Sequence, residues 1–147
     1  MAEVTIGIKV CDERLYPVYA TAQAAGADLK ANLENSITLE AGATCLVPTG
    51  VFLEIPEGYE VQIRPRSGLA AKSGLTVLNA PGTIDSDYRG EIKVILINHS
   101  KNAFVIEPYM RIAQMVVAKV DRALFVSLDA LATSVRGEGG FGSSGLK

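Results

Sequence analysis

Short apolar, β-branched runs recur along the chain with Gly, Pro, Asn or Asp between them, and this spacing limits the fold more than any other feature. The runs are VTIGIKV, TCLVPTGVFLEI, GYEVQIR, LTVLN, EIKVILIN, AFVIE, RIAQMVVAKV and ALFVSL. Runs this short, without long 3.6-period segments between them, predict an all-β sandwich or barrel rather than alternating βα units. YEVQIR alternates cleanly, with Tyr59, Val61 and Ile63 on one face and Glu60, Gln62 and Arg64 on the other. VILI at 94–97 and MVV at 115–117 are continuous instead, which in an antiparallel sheet calls for cover on both faces. A subunit interface supplies that cover most simply, and a mean hydropathy of +0.24 agrees with it, so a homo-oligomer is expected. Helix is confined to a turn or two in SGLAAKSG and a short stretch over SLDALA.

With 147 residues the chain is expected to be one domain with its own core, and a net charge of −2 removes the broad basic surface of a general nucleic-acid binder. An anionic ligand must then be met by locally placed arginines. Two cysteines, Cys11 and Cys45, and one histidine, His99, do not make a zinc site, and a reduced, cytoplasmic setting is expected. No apolar run reaches the length of a membrane span. From Ser134 the chain reads as a flexible tail: RGEGGFGSSGLK holds five glycines. The boundaries are therefore 1–133 for the body and 134–147 for the tail.

Three polar stretches interrupt the strands. In RPRSGLAAKSG, Ser67 and Gly68 open a helical turn beside Arg66, which makes either a capped turn with a solvated arginine or an anion-binding corner. In NAPGTIDSDYRGE, APGT reads as a hairpin tip with Asp85, Asp87, Tyr88 and Arg89 just beyond, either as turn-forming residues or as a site. The third is the tail itself, with Arg136, Phe141, Ser143 and Ser144 among glycines. Ser67 has no histidine nearby in sequence to act as base, so Ser–His nucleophilic catalysis is set aside.

Taken in order with AGADL at 25–29 and RIAQMV at 111–116, these stretches resemble all five motifs of the trimeric dUTP diphosphatase (dUTPase) family, over Ala25 to Gly145. The resemblance implies a jelly-roll-type β-barrel of the dUTPase-like β-clip kind, a homotrimer with shared active sites, and hydrolysis of dUTP to dUMP and pyrophosphate with Mg2+. It implies Asp85 as the base that activates water, and Asn79 with Gly82, Thr83, Ile84 and Asp85 as a backbone pocket for uracil. Tyr88 would lie against the deoxyribose. Arg66, Ser67, Gly68, Gln114 and Lys93 would contact the substrate, and Asp28 would reach the metal through water. In the tail, Phe141 would stack on uracil, Arg136 would clamp the γ-phosphate, and Gly142, Ser143 and Ser144 would complete the lid.

Neither nucleic acid nor membrane is an expected partner. Deoxycytidine triphosphate deaminases and a catalytically idle nucleotide-binding trimer are the rival readings, and an intact Asp85 argues against the second. Two positions depart from the family pattern: Ala27, where an aromatic is common, and Tyr109-Met110, in place of a Gly-acidic pair. A side chain at 109 predicts a different backbone path there.

Overall fold

The computed structural model describes residues 2–147. Strands are β1 (Gly7–Val10), β2 (Val18–Tyr19), β3 (Ala27–Lys30), β4 (Ile37–Leu39), β5 (Thr44–Glu54), β6 (Tyr59–Arg64), β7 (Leu75–Val77), β8 (Gly82–Ile84), β9 (Glu91–Asn98), β10 (Phe104–Ile106) and β11 (Arg111–Lys119). One α-helix, α1 (Ser67–Ser73), and one 3-10 turn, η1 (Glu13–Leu15), complete the described elements. The strands form a four-stranded sheet β1-β5-β9-β7, a five-stranded sheet β2-β3-β11-β6-β8, and the pair β10-β4. Every pairing is antiparallel. The all-β expectation holds, as open sheets without a closed barrel.

The core lies where the inner faces of the two larger sheets meet. Val61 and Ile63 of β6 bury beside Met115 of β11, while Val47 and Val51 of β5 and Ile92, Val94 and Leu96 of β9 come from the other sheet. The alternation read in YEVQIR is kept, with Val61 and Ile63 buried and Arg64 exposed. VILI also alternates within one chain: Val94 and Leu96 point inward, while Ile95 and Ile97 remain half-exposed on the outer face. Leu46, opposite Ile95 in the ladder, is 56% exposed on that same face.

Polar groups in the interior are satisfied. Asn98 is fully buried, but its amide donates to Leu39 O at 3.0 Å and to Asn102 O at 2.8 Å, and its oxygen accepts from Ser100 Oγ at 2.7 Å. A lone buried amide would cost more than its packing returns, and these partners remove that cost. The long strand β5 shifts register between Pro48 and Phe52 around Gly50, whose φ of +69° suits glycine.

Four local expectations change. The APGT segment is not the tip of a hairpin: β7 pairs with β9 in one sheet and β8 with β6 in the other, so residues 78–81 cross between sheets, through a cis Ala80-Pro81 bond. ALFVSL forms no strand and packs on nothing in its own chain: Leu124 and Phe125 are 90% and 93% exposed. SLDALA is not helical; six residues without a packed face cannot offset helix nucleation. The backbone at 109 keeps the glycine-type path, since Tyr109 has a φ of +62°.

Candidate active site

The crossing between sheets builds the first half of the site. After β8 the chain turns at 85–88, closed by Tyr88 N–H donating to Asp85 O at 3.2 Å, and returns into β9. A cavity of about 250 Å³ opens here, lined by Thr83, Ile84, Asp85, Tyr88, Glu91 and Lys93. Tyr88 is fixed by its hydroxyl, which donates to Glu91 O at 2.9 Å, and its ring lies against Gly90. A Cβ at Gly90 would fall 2.5 Å from Tyr88 Cζ, so a side chain there would push the ring from this position. Asp85 is exposed, and Lys93 makes no ion pair among the described residues. The pocket therefore offers one free acid and one free cation. Glu91 is spent differently: its Oε1 accepts from Gly50 N–H at 2.9 Å and anchors the base of the excursion.

A second cluster lies where β3, β11 and the end of β6 meet. Asp28 is 9% exposed, and a carboxylate that deep needs partners. Arg66 Nε donates to its Oδ1 at 3.1 Å and Arg111 Nη1 to its Oδ2 at 3.2 Å, while Arg66 Nη1 reaches Arg111 O at 3.4 Å. Two guanidiniums on one carboxylate leave net positive charge at a part-exposed edge, which suits an anion. Gln114 Nε2 donates to Pro65 O at 2.9 Å, and its side chain lies over Gly26. Ser67 and Gly68 follow at the exposed start of α1. Between this cluster and the crossing runs a cleft of about 420 Å³, lined by Gln62, Arg64, Pro65, Ala80, Pro81 and Gln114.

Among the described residues no group of three His, Cys, Asp or Glu could cage a metal, and both Asp28 oxygens are held by arginines. This donor set fits an ion that would arrive on phosphate oxygens and meet Asp28 through water.

The structure brings Thr83, Ile84, Asp85, Tyr88 and Lys93 around one cavity, and Asp28, Arg66 and Gln114 to one edge. Asn79 packs beside Gly82, its Nδ2 about 3.3 Å from where a Cβ would sit. The tail joins neither group. Arg136 Nε donates to Gly139 O at 2.7 Å, a purely local contact, and Phe141 is fully exposed. Arg111 and Glu91 were missed as site residues. Arg111 opens RIAQMV, but its partner Asp28 lies 83 positions away, and Glu91 reaches across 41 positions to Gly50.

An arginine edge steadied by one buried acid, together with a free acid in a polar cavity on an all-β frame, marks a protein that handles a phosphorylated small molecule. The profile of the dUTPase family matches residues 13–145. The deoxyuridine 5'-triphosphate nucleotidohydrolase of Chlamydia pneumoniae is 62% identical over 130 residues, 88% of this chain and 90% of its own. That of Cytophaga hutchinsonii is 54% identical over 146 residues, 98% of this chain and 95% of its own. Among solved structures, a Staphylococcus bacteriophage 80alpha dUTPase mutant with dUpNHpp superposes with a TM-score of 0.86 at 25% identity, covering 97% of this chain and 99% of that one. The phage phi11 dUTPase described with a structural Mg(II) ion shares the fold, with a TM-score of 0.78 at 20% identity over 88% of this chain and 100% of its own. The chain belongs to the dUTPase family, and it is an enzyme of dUTP hydrolysis.

Proposed function

We propose that the chain hydrolyses dUTP to dUMP and pyrophosphate by attack of water on the α-phosphate, at sites each assembled from the chains of a homotrimer. The observation that carries the shared site is the β6–β8 register. Gly82 lies opposite Ile63 and Ile84 opposite Val61, so Asp85 continues toward Glu60 while Arg66 lies three positions past Ile63 the other way. At ~3.3 Å per residue the acid and the arginine stand roughly 15–20 Å apart along the sheet. Backbone positions that far apart suit a base at the α-phosphate and donors on its neighbouring phosphates better when they come from different chains. The outer face of the four-stranded sheet, with Leu46, Ile95 and Ile97 uncovered, supports a subunit interface that would bring one chain's cavity to another's arginine edge. Residues 121–138 are exposed throughout, which suits a segment, with the 134–147 tail, that leaves its own body for a neighbour.

In this site Asp85 takes a proton from water as its oxygen attacks the α-phosphorus. The bond from that phosphorus to the bridging oxygen breaks, and pyrophosphate leaves. β8 is the edge of its sheet, and its outer backbone N–H and C=O groups are free to imitate a pairing base for uracil beside Asn79. A methyl at C5 has no room against that backbone, so thymine is excluded by shape. Tyr88 packs on the deoxyribose, where a 2′-hydroxyl would clash with the ring. Arg66, Ser67, Gly68, Gln114 and Lys93 bind the phosphate chain. Asp28 would hold Mg2+ through water alongside the phosphate oxygens, and the ion would supply neutralising charge there.

From the tail, Arg136 clamps the γ-phosphate, Phe141 stacks on the base, and Gly142, Ser143 and Ser144 close the cover and exclude water. The activity, in the cytoplasm and without nucleic-acid or membrane partners, keeps uracil out of DNA and supplies dUMP for thymidylate. Chromatography of products from dUTP, dCTP, dTTP and UTP with Mg2+ tests it. Only dUTP should be consumed, giving dUMP and pyrophosphate; orthophosphate, or ammonia from dCTP, would contradict the reading.

A further inference from the structure

The turn before β11 carries an unusual residue at its centre. Met110 N–H donates to Glu107 O at 3.1 Å, which closes a turn over Pro108 and Tyr109. With a φ of +62° at Tyr109 this is type II geometry, whose third residue is ordinarily glycine because a Cβ crowds the backbone there. Contacts at the far end of the side chain hold the tyrosine in place. Its hydroxyl donates to Asp12 Oδ2 at 2.9 Å, and the Arg14 guanidinium lies over its ring, 4.3 Å from the centroid. Asp12 and Arg14 are locked to each other, since Arg14 donates its backbone N–H at 2.9 Å and its Nε at 3.1 Å to the Asp12 carboxylate. Hydrogen bonds from Arg14 first, and then from Tyr109, hold the Asp12 carboxyl well below the usual carboxylate range.

The 12–14 segment has a second grip. Lys30 Nζ donates to Arg14 O at 2.6 Å, and Lys30 lies directly opposite Arg111 in the β3–β11 ladder. Residues 12–14 thus hold Tyr109, two positions before Arg111, and Lys30, across from it. Backbone bonds tie the turn to β3's end, Tyr109 N–H to Ala31 O and Ala31 N–H to Met110 O, each at 2.8 Å. But the ladder shifts register between Arg111 and Ala113, so Arg111 sits on the turn's side of that break and follows the turn. Yet Arg111 shares Asp28 with Arg66 and accepts Arg66 Nη1 on its carbonyl.

We propose that Tyr109 is a positioning residue: clamped by Asp12 and Arg14, it holds the irregular start of β11 so that Arg111 keeps Asp28 and Arg66 set for the phosphate chain. This rests on the phosphate-binding reading of that edge. Glycine suits the turn at least as well as tyrosine, so Tyr109→Gly separates the turn from the clamp. In the full chain it should keep its circular dichroism and oligomeric state, while KM for dUTP rises about five- to twentyfold and kcat stays within about threefold. That is a fraction of the ~100-fold that a misplacement of about 1 Å can cost.

Tyr109→Phe, which keeps the ring over Arg14, should recover most of the loss and leave KM about two- to threefold high, and Asp12→Asn should match it. A wild-type KM in Tyr109→Gly, or a loss confined to kcat, overturns the proposal. If Tyr109→Gly fails to fold, unchanged KM in both Tyr109→Phe and Asp12→Asn overturns it equally. A wild-type chain that released no pyrophosphate from dUTP would bring down the underlying reading instead, and the clamp's role with it.

Discussion

Replacing Gly26 with alanine should weaken phosphate binding without substituting a phosphate ligand. The added Cβ would overlap Gln114 Oε1 and stand 2.9 Å from Gln114 Cδ and 3.2 Å from its Cβ, so Gln114 must swing away and release Pro65 O. Losing that one amide–carbonyl bond costs about 0.5–1.5 kcal/mol. Gln114 is only half-buried and can turn to solvent, so stability should fall by about 1 kcal/mol, near 4 °C in melting temperature for a domain of this size. The substrate loses more, because a hydrogen bond to a charged phosphate contributes about 1.5–3 kcal/mol. At 1.4 kcal/mol per tenfold, kcat/KM should drop about 10- to 100-fold, read by pyrophosphate release from dUTP. Gln114→Ala should reproduce the loss, and the double variant should be no worse than either single one. Full activity in Gly26→Ala, or additive losses in the double variant, would refute this route through Gln114.

Asp85→Asn should preserve the fold and dUTP binding while lowering kcat by roughly 10²–10⁴, and activity within a few-fold of wild type would remove Asp85 as the base. Deleting 136–147 should leave the melting temperature nearly unchanged, because the contacts of that segment are local, yet abolish most turnover. Burial pushes the Cys45 thiol up, whereas Cys11 is exposed. At pH 8, iodoacetamide should therefore modify Cys11 well before Cys45 in the native protein, and equal rates would contradict the burial. Because the folded pKa of Cys45 is the raised one, its contribution to stability is complete below about 8.5 and is lost as pH climbs through the folded value.

The sheets were legible wherever one strand carries its own pattern. β6 buries the alternate residues its sequence marks, the continuous MVV of β11 leaves Met115 buried with Val116 and Val117 half-exposed, and Ser67 opens α1 where the SGLAAKSG turn suggested. Partner choice was not legible. Nothing local to NAPGT says that β8 pairs with β6 rather than with β7, because pairing is decided by the edge the rest of the chain leaves open. β3 was hidden for a related reason: Ala27, Asp28 and Leu29 are all buried, so the strand lacks alternation, and its acid is tolerable only because two arginines arrive from distant elements. ALFVSL is the reverse case, a strand-like pattern that pairs with no strand of its own chain. The residue types of the site were readable; their division into an acid pocket and an arginine edge needed the register.

The central claim is that an acid pocket, an arginine edge and a tail meet only across chains, and mixed assembly tests it most directly. Asp85→Asn protein and protein lacking 136–147, each nearly inactive, are unfolded together in equal amounts and refolded, with subunit exchange confirmed by mass spectrometry. A working site needs its Asp85 from a tail-deleted chain and its tail from an Asp85→Asn chain, each with a chance of about one half. About a quarter of sites should therefore regain activity in a closed symmetric oligomer. If pocket and tail met within one chain no mixed site would be whole, and recovered activity near zero would contradict the shared site.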